Sequence, residues 1–259
     1  MPEPVRPRPA PSLTECTFYH SFDFPDGETV HGWWDIRGRF EQYIGNYPLA
    51  GKTVLDIGTA SGFLAFCAEQ RGARVTAFDV DRAINTEQVP HRDTLYLRDR
   101  AAWARERDDN LHNPMKASYW YAWHKYKSGV ETVYGSLREF PYWNRTFDVV
   151  IAGALLEHLA DPVSAIGAMA RLANDAVIIA FTPVLDREDL FMYAPGWTNP
   201  KDAYSWWALT SGLYRRIFEN LGFEIEIVQA TAIANPNYHH DASTSAEHVR
   251  QTVIARRIR

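Results

Sequence analysis

From Thr53 onward the chain alternates short β-rich runs with stretches whose apolar residues recur every three or four positions. Thr53-Val-Leu-Asp-Ile57 reads as a strand. A glycine-bearing turn follows through Gly62, then a helix from Phe63 to Arg71 that Gly72 stops, then a second strand at Arg74-Val-Thr-Ala-Phe78. A strand, helix and strand in this order make a parallel βαβ unit. Val130–Tyr134, Phe147–Ile151 and Ala176–Phe181 are further strand-like runs, the last two separated by a helical pattern from Pro162 to Ala173. Ser205–Leu221 reads as a helix ended by Gly222, Phe223–Gln229 as a strand and Gln251–Arg256 as the last strand. Seven strands with interleaved helices predict an α/β fold, a seven-stranded doubly wound Rossmann-like sheet. Only a loop joins the final two strands, so that pair is expected to be antiparallel.

Two stretches stand outside this rhythm. About 50 residues separate the second strand from the third, where one crossover helix needs roughly a dozen, so a helical segment is inserted at about 82–128. It holds the charged run Arg92–Asp109 and then the aromatic run Ser118–Lys127. Before the sheet, Trp33, Ile36, Phe40, Tyr43 and Ile44 have helical spacing, closed by Pro48. Residues 1–12, with five prolines, are expected to be a disordered tail, 13–48 an N-terminal helical lid, and 49–259 the main domain.

Composition narrows the function classes. The 259 residues are 46% apolar and carry a formal net charge of −5, which fits a soluble globular protein and counts against tight binding to a nucleic-acid backbone. No window approaches the ~18 consecutive apolar residues of a bilayer span, and Met1-Pro-Glu-Pro4 has no secretory pattern. Two cysteines, Cys16 and Cys67, suit a reduced setting, so the expected location is cytoplasmic, with no membrane association. The 14% aromatic content exceeds the ordinary need for core filling and suggests an aromatic-lined pocket.

The chemistry concentrates in Val54-Leu-Asp-Ile-Gly-Thr-Ala-Ser-Gly62 and in Asp79 at the end of the second strand. Gly58 and Gly62 permit close backbone approach by a nucleotide-like ligand, and Asp79 can accept hydrogen bonds from ribose hydroxyls. Ala60 stands where a dinucleotide motif has its middle glycine. Asp56 would repel a pyrophosphate but could receive the ammonium of an amino-acid moiety. The combination favours S-adenosylmethionine over NAD.

With these residues the sequence resembles the class I S-adenosylmethionine-dependent methyltransferases over roughly residues 50–257. Thr146-Phe-Asp-Val-Val-Ile-Ala-Gly-Ala-Leu-Leu-Glu-His-Leu159 is similar to the family's fourth strand and the segment after it. The segments Phe18-Tyr-His-Ser21 and Gly32-Trp-Trp-Asp-Ile-Arg37 and the long second crossover resemble the branch of tRNA wobble-uridine (carboxy)methyltransferases and their small-molecule relatives. The resemblance implies a cofactor site of Asp56, Gly58, Thr59, Ala60, Gly62, Asp79, Val80, Ser136, Leu137 and Ala152; Arg37, in the lid, is either a further cofactor contact or part of a local cap or ion pair.

Other assignments follow from position. His158 comes after the fourth strand, at the edge of the sheet where ligands bind, and His20 lies in the lid; either could be a catalytic base, or a structural histidine. Trp34, Tyr119, Trp120, Trp123, Tyr193, Trp206 and His239 are the candidate acceptor contacts, although Tyr119, Trp120 and Trp123 also have the spacing of a packed helix face. His239, His240 and Asp241 chelate one ion poorly if extended, so no metal is expected. The expected activity is O- or N-methylation of a small aromatic or amphipathic molecule by S-adenosylmethionine, as in metabolite tailoring. A tRNA uridine methyltransferase and a non-catalytic cofactor-binding protein are the alternatives.

Overall fold

The computed structural model describes residues 3–86, 95–193, 206–235 and 246–258. One sheet organises them. Its strands are β1 (Trp34–Asp35), β2 (Thr53–Ile57), β3 (Arg74–Val80), β4 (Glu131–Gly135), β5 (Phe147–Gly153), β6 (Ala173–Thr182), β7 (Phe223–Ala234) and β8 (Ala246–Arg257). They lie in the spatial order β1-β7-β8-β6-β5-β2-β3-β4. β2 is parallel to β3 and β5, β3 to β4, and β5 to β6. β7 and β8 form the expected antiparallel pair, and β8 also runs antiparallel to β6.

The eighth strand corrects the reading of the segment around Trp33. That stretch does not form one helix: Trp34–Asp35 pairs with Ala234 and Ile233 at the sheet edge, and only Phe40–Tyr43 is helical. Gly38, at φ +69°, breaks the run between them, so the helically spaced residues are buried from two different local structures.

Alternation along the strands divides the core between the two faces of the sheet. Val149 and Ile151 join one cluster with α1 (Phe63–Gln70) and the aromatic N-terminal segment around Phe22. Val150 and Ala152 join the other, against Ile166 and Phe218. Those two residues belong to α4 (Pro162–Leu172) and α5 (Ser211–Asn220). The insertion contains α2 (Arg100–Arg107), a wide π-helical turn at Asp108–His112, and α3 (Asn113–Tyr126), whose left-handed Lys127 closes the helix.

The N-terminal tail is also corrected. Pro4 bridges to Val133 on β4, the Val5 N–H donates to Thr132 O at 2.8 Å, and the Arg8 guanidinium lies 5.0 Å from the centre of the Tyr134 ring. Proline excludes helix but tolerates an edge position where no donor is needed, and this arm pairs through the Val5 N–H that follows Pro4. Among the described residues no helix is long and apolar enough to cross a membrane.

Candidate active site

The parallel strands end on a cavity of about 700 Å³, and its floor is the turn after β2. Gly58 and Gly62 adopt φ +73° and +87° there, and Ala60, at φ +51°, does so despite its Cβ. Asp79 holds the turn in this shape: its Oδ2 accepts from Ala60 N–H and its Oδ1 from Val80 N–H, both at 2.7 Å. Burial pushes the Asp79 carboxyl pKa up, opposed by those two N–H groups and by the ammonium of Lys116. Beneath the turn the Asp56 carboxylate is 1% exposed, and neither oxygen reaches a hydrogen-bond partner. Burial raises its pKa to about 7 and the charge of Asp79 adds to the rise, while the nearby Thr59 hydroxyl and Ala65 N–H, both short of hydrogen-bond geometry, pull the other way. A buried acid without a donor beside an open cavity marks a place where a cationic group can be received.

Strain gathers around the same cavity. Among the described residues, Ala154 (φ +45°) and Phe181 (φ +52°) join Ala60 as left-handed non-glycines on its wall. Such conformations cost on the order of 1 kcal/mol or more each and persist where surrounding structure enforces them. Phe181 lies opposite an irregularity in β8 between Gln251 and Val253, and its N–H donates to Thr252 Oγ1. Its ring stacks on Tyr43 at 5.4 Å and meets Trp34 edge-on at 5.6 Å. On β5, a Cβ added to Gly153 would stand 2.8 Å from Leu64 Cδ1, so the backbone there is the cavity wall.

The N-terminal segment forms the opposite wall. The Tyr19 and His20 N–H groups both donate to Ser61 Oγ in the glycine turn, at 3.2 and 3.3 Å. Gly32 passes so close to His20 that a Cβ would meet its carbonyl carbon at 2.3 Å. His20 is thereby held against Phe63, its Nδ1 without a partner, and burial drives its pKa down to about 3. His158, half-buried on the short helical turn Leu156–His158, faces the same space. Beside it the side chain of Glu157 is fully buried, with Oε1 paired to Arg250 Nη1 at 2.8 Å and Oε2 without a partner.

Of the residues singled out from the sequence, Gly58, Thr59, Ala60, Asp79, Val80 and Leu137 line the cavity, as do His20, His158 and Trp34. The others fall elsewhere. Asp56 lies one layer below, and Gly62 caps α1 against Phe66 and Tyr119. Ala152 is buried in the core behind the sheet, and Ser136 caps the turn Leu137–Tyr142. Arg37 is paired with Asp23 and Asp35 and does not reach the cavity. Tyr119, Trp120 and Trp123 pack in the core or against it instead of contacting the cavity, because α3 turns that face toward the sheet and α1. The Tyr193 ring lies tilted beside Phe191 and near Arg187, and the Trp206 backbone N–H donates to Glu157 O. His239 lies outside the described residues.

The sequence reading missed Tyr19, Tyr43, Glu157, Phe181 and Arg250, and Arg107, His112 and Lys116 of the insertion. Tyr19 and Glu157 adjoin residues that were singled out. Arg250 gave no local signal, because only the β8 register brings it to Glu157.

Comparison with known proteins bears on the family and the fold. A family model described as a methyltransferase domain matches residues 36–228. The ubiquinone biosynthesis O-methyltransferase of Nitrosospira multiformis is 28% identical over 179 residues, or 64% of this chain and 62% of that protein. Its namesake in Pseudomonas paraeruginosa is 26% identical over 182 residues, with 64% and 63% covered. The chain thus spans less than two thirds of the length of these curated relatives. Among solved structures, the N-terminal domain of EvdMO1 with SAH bound aligns at a TM-score of 0.53 and 18% identity, covering 93% of this chain and 92% of that one. An O-methyltransferase family protein from Burkholderia thailandensis aligns at 0.52 and 12% identity, covering 86% and 56%. At such identities the structural likeness speaks to the fold alone.

Proposed function

The chain belongs to the methyltransferase-domain family, and from that premise we propose that it transfers the methyl group of S-adenosylmethionine to the hydroxyl of a small aromatic acceptor. The observation that carries this reading is one continuous cavity with two chemically distinct ends. One end has the glycine turn, Asp79 and the unsatisfied Asp56 beneath; the other has Trp34, Tyr43 and Phe181 around His20 and His158. When bound, S-adenosylmethionine would supply an electrophilic methyl carbon on a sulfonium, with S-adenosylhomocysteine as the leaving group that keeps the bonding electron pair.

The protein's share is alignment, exclusion of water and removal of one proton. Gly58 and Gly153 would let backbone approach the cofactor closely, while Asp79 would accept from its ribose hydroxyls and Asp56 would place negative charge near its ammonium. The aromatic rings offer flat apolar walls to an aromatic acceptor, and the names of the O-methyltransferase relatives favour oxygen as the methylated atom.

The two histidines divide the remaining work. His20, with a pKa near 3, is too weak a base to take a proton from a phenol of pKa about 10, a gap on the order of 9 kcal/mol. It instead positions the acceptor through its unpartnered Nδ1. His158 is then the proton acceptor, and Glu157 Oε2 can accept a hydrogen bond from a second polar group on the acceptor.

Transfer of labelled methyl from S-adenosylmethionine to a panel of phenols, aliphatic amines and unmodified tRNA tests this assignment. Phenols are expected to be methylated. His158→Ala should lower kcat for a phenol about 10²–10³-fold at pH 7, with the loss shrinking as pH rises toward the acceptor's own pKa. His20→Ala should act mainly on KM. Methylation of tRNA alone, or a His158→Ala defect that is constant with pH, would count against the reading.

A further inference from the structure

We propose that Lys116, on α3 of the insertion, is a cofactor-binding residue that works as a pair with Asp79 at the nucleoside end of the cavity; this rests on the cofactor reading above. Lys116 is 8% exposed, yet it lines the cavity together with Asp79, Val80 and Leu137. Its ammonium donates to Asp81 O at 2.5 Å and stands 5.2 Å from the centre of the Tyr134 ring. That backbone bond uses one of three donors. The two others are available to a ligand in the cavity.

A buried ammonium is costly unless opposite charge or a hydrogen-bonded ligand compensates it. Asp79 supplies such charge, and each of the two groups favours the ionised form of the other. Asp79 spends one lone pair of each oxygen on the turn, through Ala60 and Val80 N–H. A ribose diol placed between the two residues would donate to the carboxylate and accept from the ammonium. Lys116 is therefore a direct contact to the hydroxyls, and its charge adds to the Ala60 and Val80 N–H groups in favouring the ionised form of Asp79 against burial. The insertion then serves the cofactor end through Arg107, His112 and Lys116, which reverses the expectation that it contacts the acceptor.

Other charged groups surround the pair. Asp56 faces Asp79 from β2, and the Tyr134 hydroxyl faces it from β4. Asp81, Asp108, His112 and the Arg8 guanidinium of the N-terminal arm face Lys116. Arg8 stays charged throughout the range tested, and burial holds the His112 pKa down to about 4. Asp56 is common to wild type and variants, so a difference between their profiles isolates Lys116.

The test is calorimetric titration from pH 5.5 to 8.5 with two probes, S-adenosylhomocysteine and 5′-methylthioadenosine. The second keeps the ribose diol but lacks the ammonium that Asp56 would meet. Lys116→Met should weaken both probes by the same factor, about tenfold at pH 7.5, and move the pH midpoint of binding upward. The sign follows because losing the cation raises the Asp79 pKa, so the ionised form needed by the hydroxyls is lost at higher pH. Lys116→Arg should stay within about threefold of wild type with an unshifted midpoint.

Equal affinity and an equal midpoint in Lys116→Met would overturn the inference while leaving the cofactor reading intact. A loss with an unshifted midpoint, matched by a lowered melting temperature, would reduce Lys116 to packing and also overturn it. If wild type bound neither probe, the cofactor reading itself would fall. Lys116→Gln replaces Lys116→Met if the latter does not fold.

Discussion

Asp79→Ala is expected to weaken S-adenosylhomocysteine binding about 100-fold, or ~2.7 kcal/mol. Two ribose hydroxyls would lose their acceptor in a largely enclosed site, at ~1–1.5 kcal/mol each. The turn suffers as well. Ala60 N–H, held at 2.7 Å from Asp79 Oδ2, loses the bond that offsets a left-handed alanine. Asp79→Asn keeps an oxygen for Ala60 but turns an NH₂ toward a neighbouring donor, so its loss should be intermediate, about tenfold. Calorimetry on both variants checks the order. Equal affinity in Asp79→Ala and wild type would remove Asp79 from the cofactor site.

Tyr119→Ala should lower folding stability by ~3–5 kcal/mol, the cost of emptying a large core site. Tyr119 is 1% exposed, its hydroxyl bonds Thr132 Oγ1 at 2.7 Å, and its ring stands 5.2 Å from Phe66. It also backs the glycine turn, because a Cβ on Gly62 would lie 2.8 Å from its Cδ2. Denaturant unfolding should therefore show the loss, and any change in cofactor affinity should follow the loss of stability. An acceptor contact would give the opposite pattern: unchanged stability with acceptor binding lost selectively.

The contrast at Tyr119 shows what the sequence could and could not reveal. Thr53–Ile57 was legible to the residue, because a β-rich run ending in a glycine turn has few alternatives. The order of strands and helices, the antiparallel end and the Asp56 to Asp79 constellation were legible for the same reason: each is written in contiguous residues. The aromatic face of α3 has a spacing that records a face and says nothing about what it meets; here it meets the core. The helical spacing of Trp33 to Ile44 was likewise real but cut by Gly38. The acceptor end is assembled from Tyr19, Glu157, Phe181 and Arg250, which lie far apart in sequence. Their meeting depends on sheet order and on an irregularity in β8, neither of which leaves a local pattern.

Lys116 was hidden for a further reason. A lysine among aromatic residues on a charged insertion reads as a solvated side chain, and only the packing of α3 beside β4 buries it over Tyr134, in the cavity that Asp79 also lines. The proline-rich arm was misjudged in the same way. Its composition predicts disorder in isolation, whereas the unpaired edge of β4 gives Val5 a backbone partner and Tyr134 gives Arg8 a ring.

The most direct test of the whole account is a calorimetric titration of the purified wild-type chain with S-adenosylhomocysteine, run beside an identical titration with NAD. The cavity, with its D-x-G-x-x-x-G turn and the buried Asp56, predicts one saturable site for S-adenosylhomocysteine at a Kd in the micromolar range, roughly −8 kcal/mol, and no heat from NAD. Saturable NAD binding, or no binding of S-adenosylhomocysteine at millimolar concentration, would contradict it.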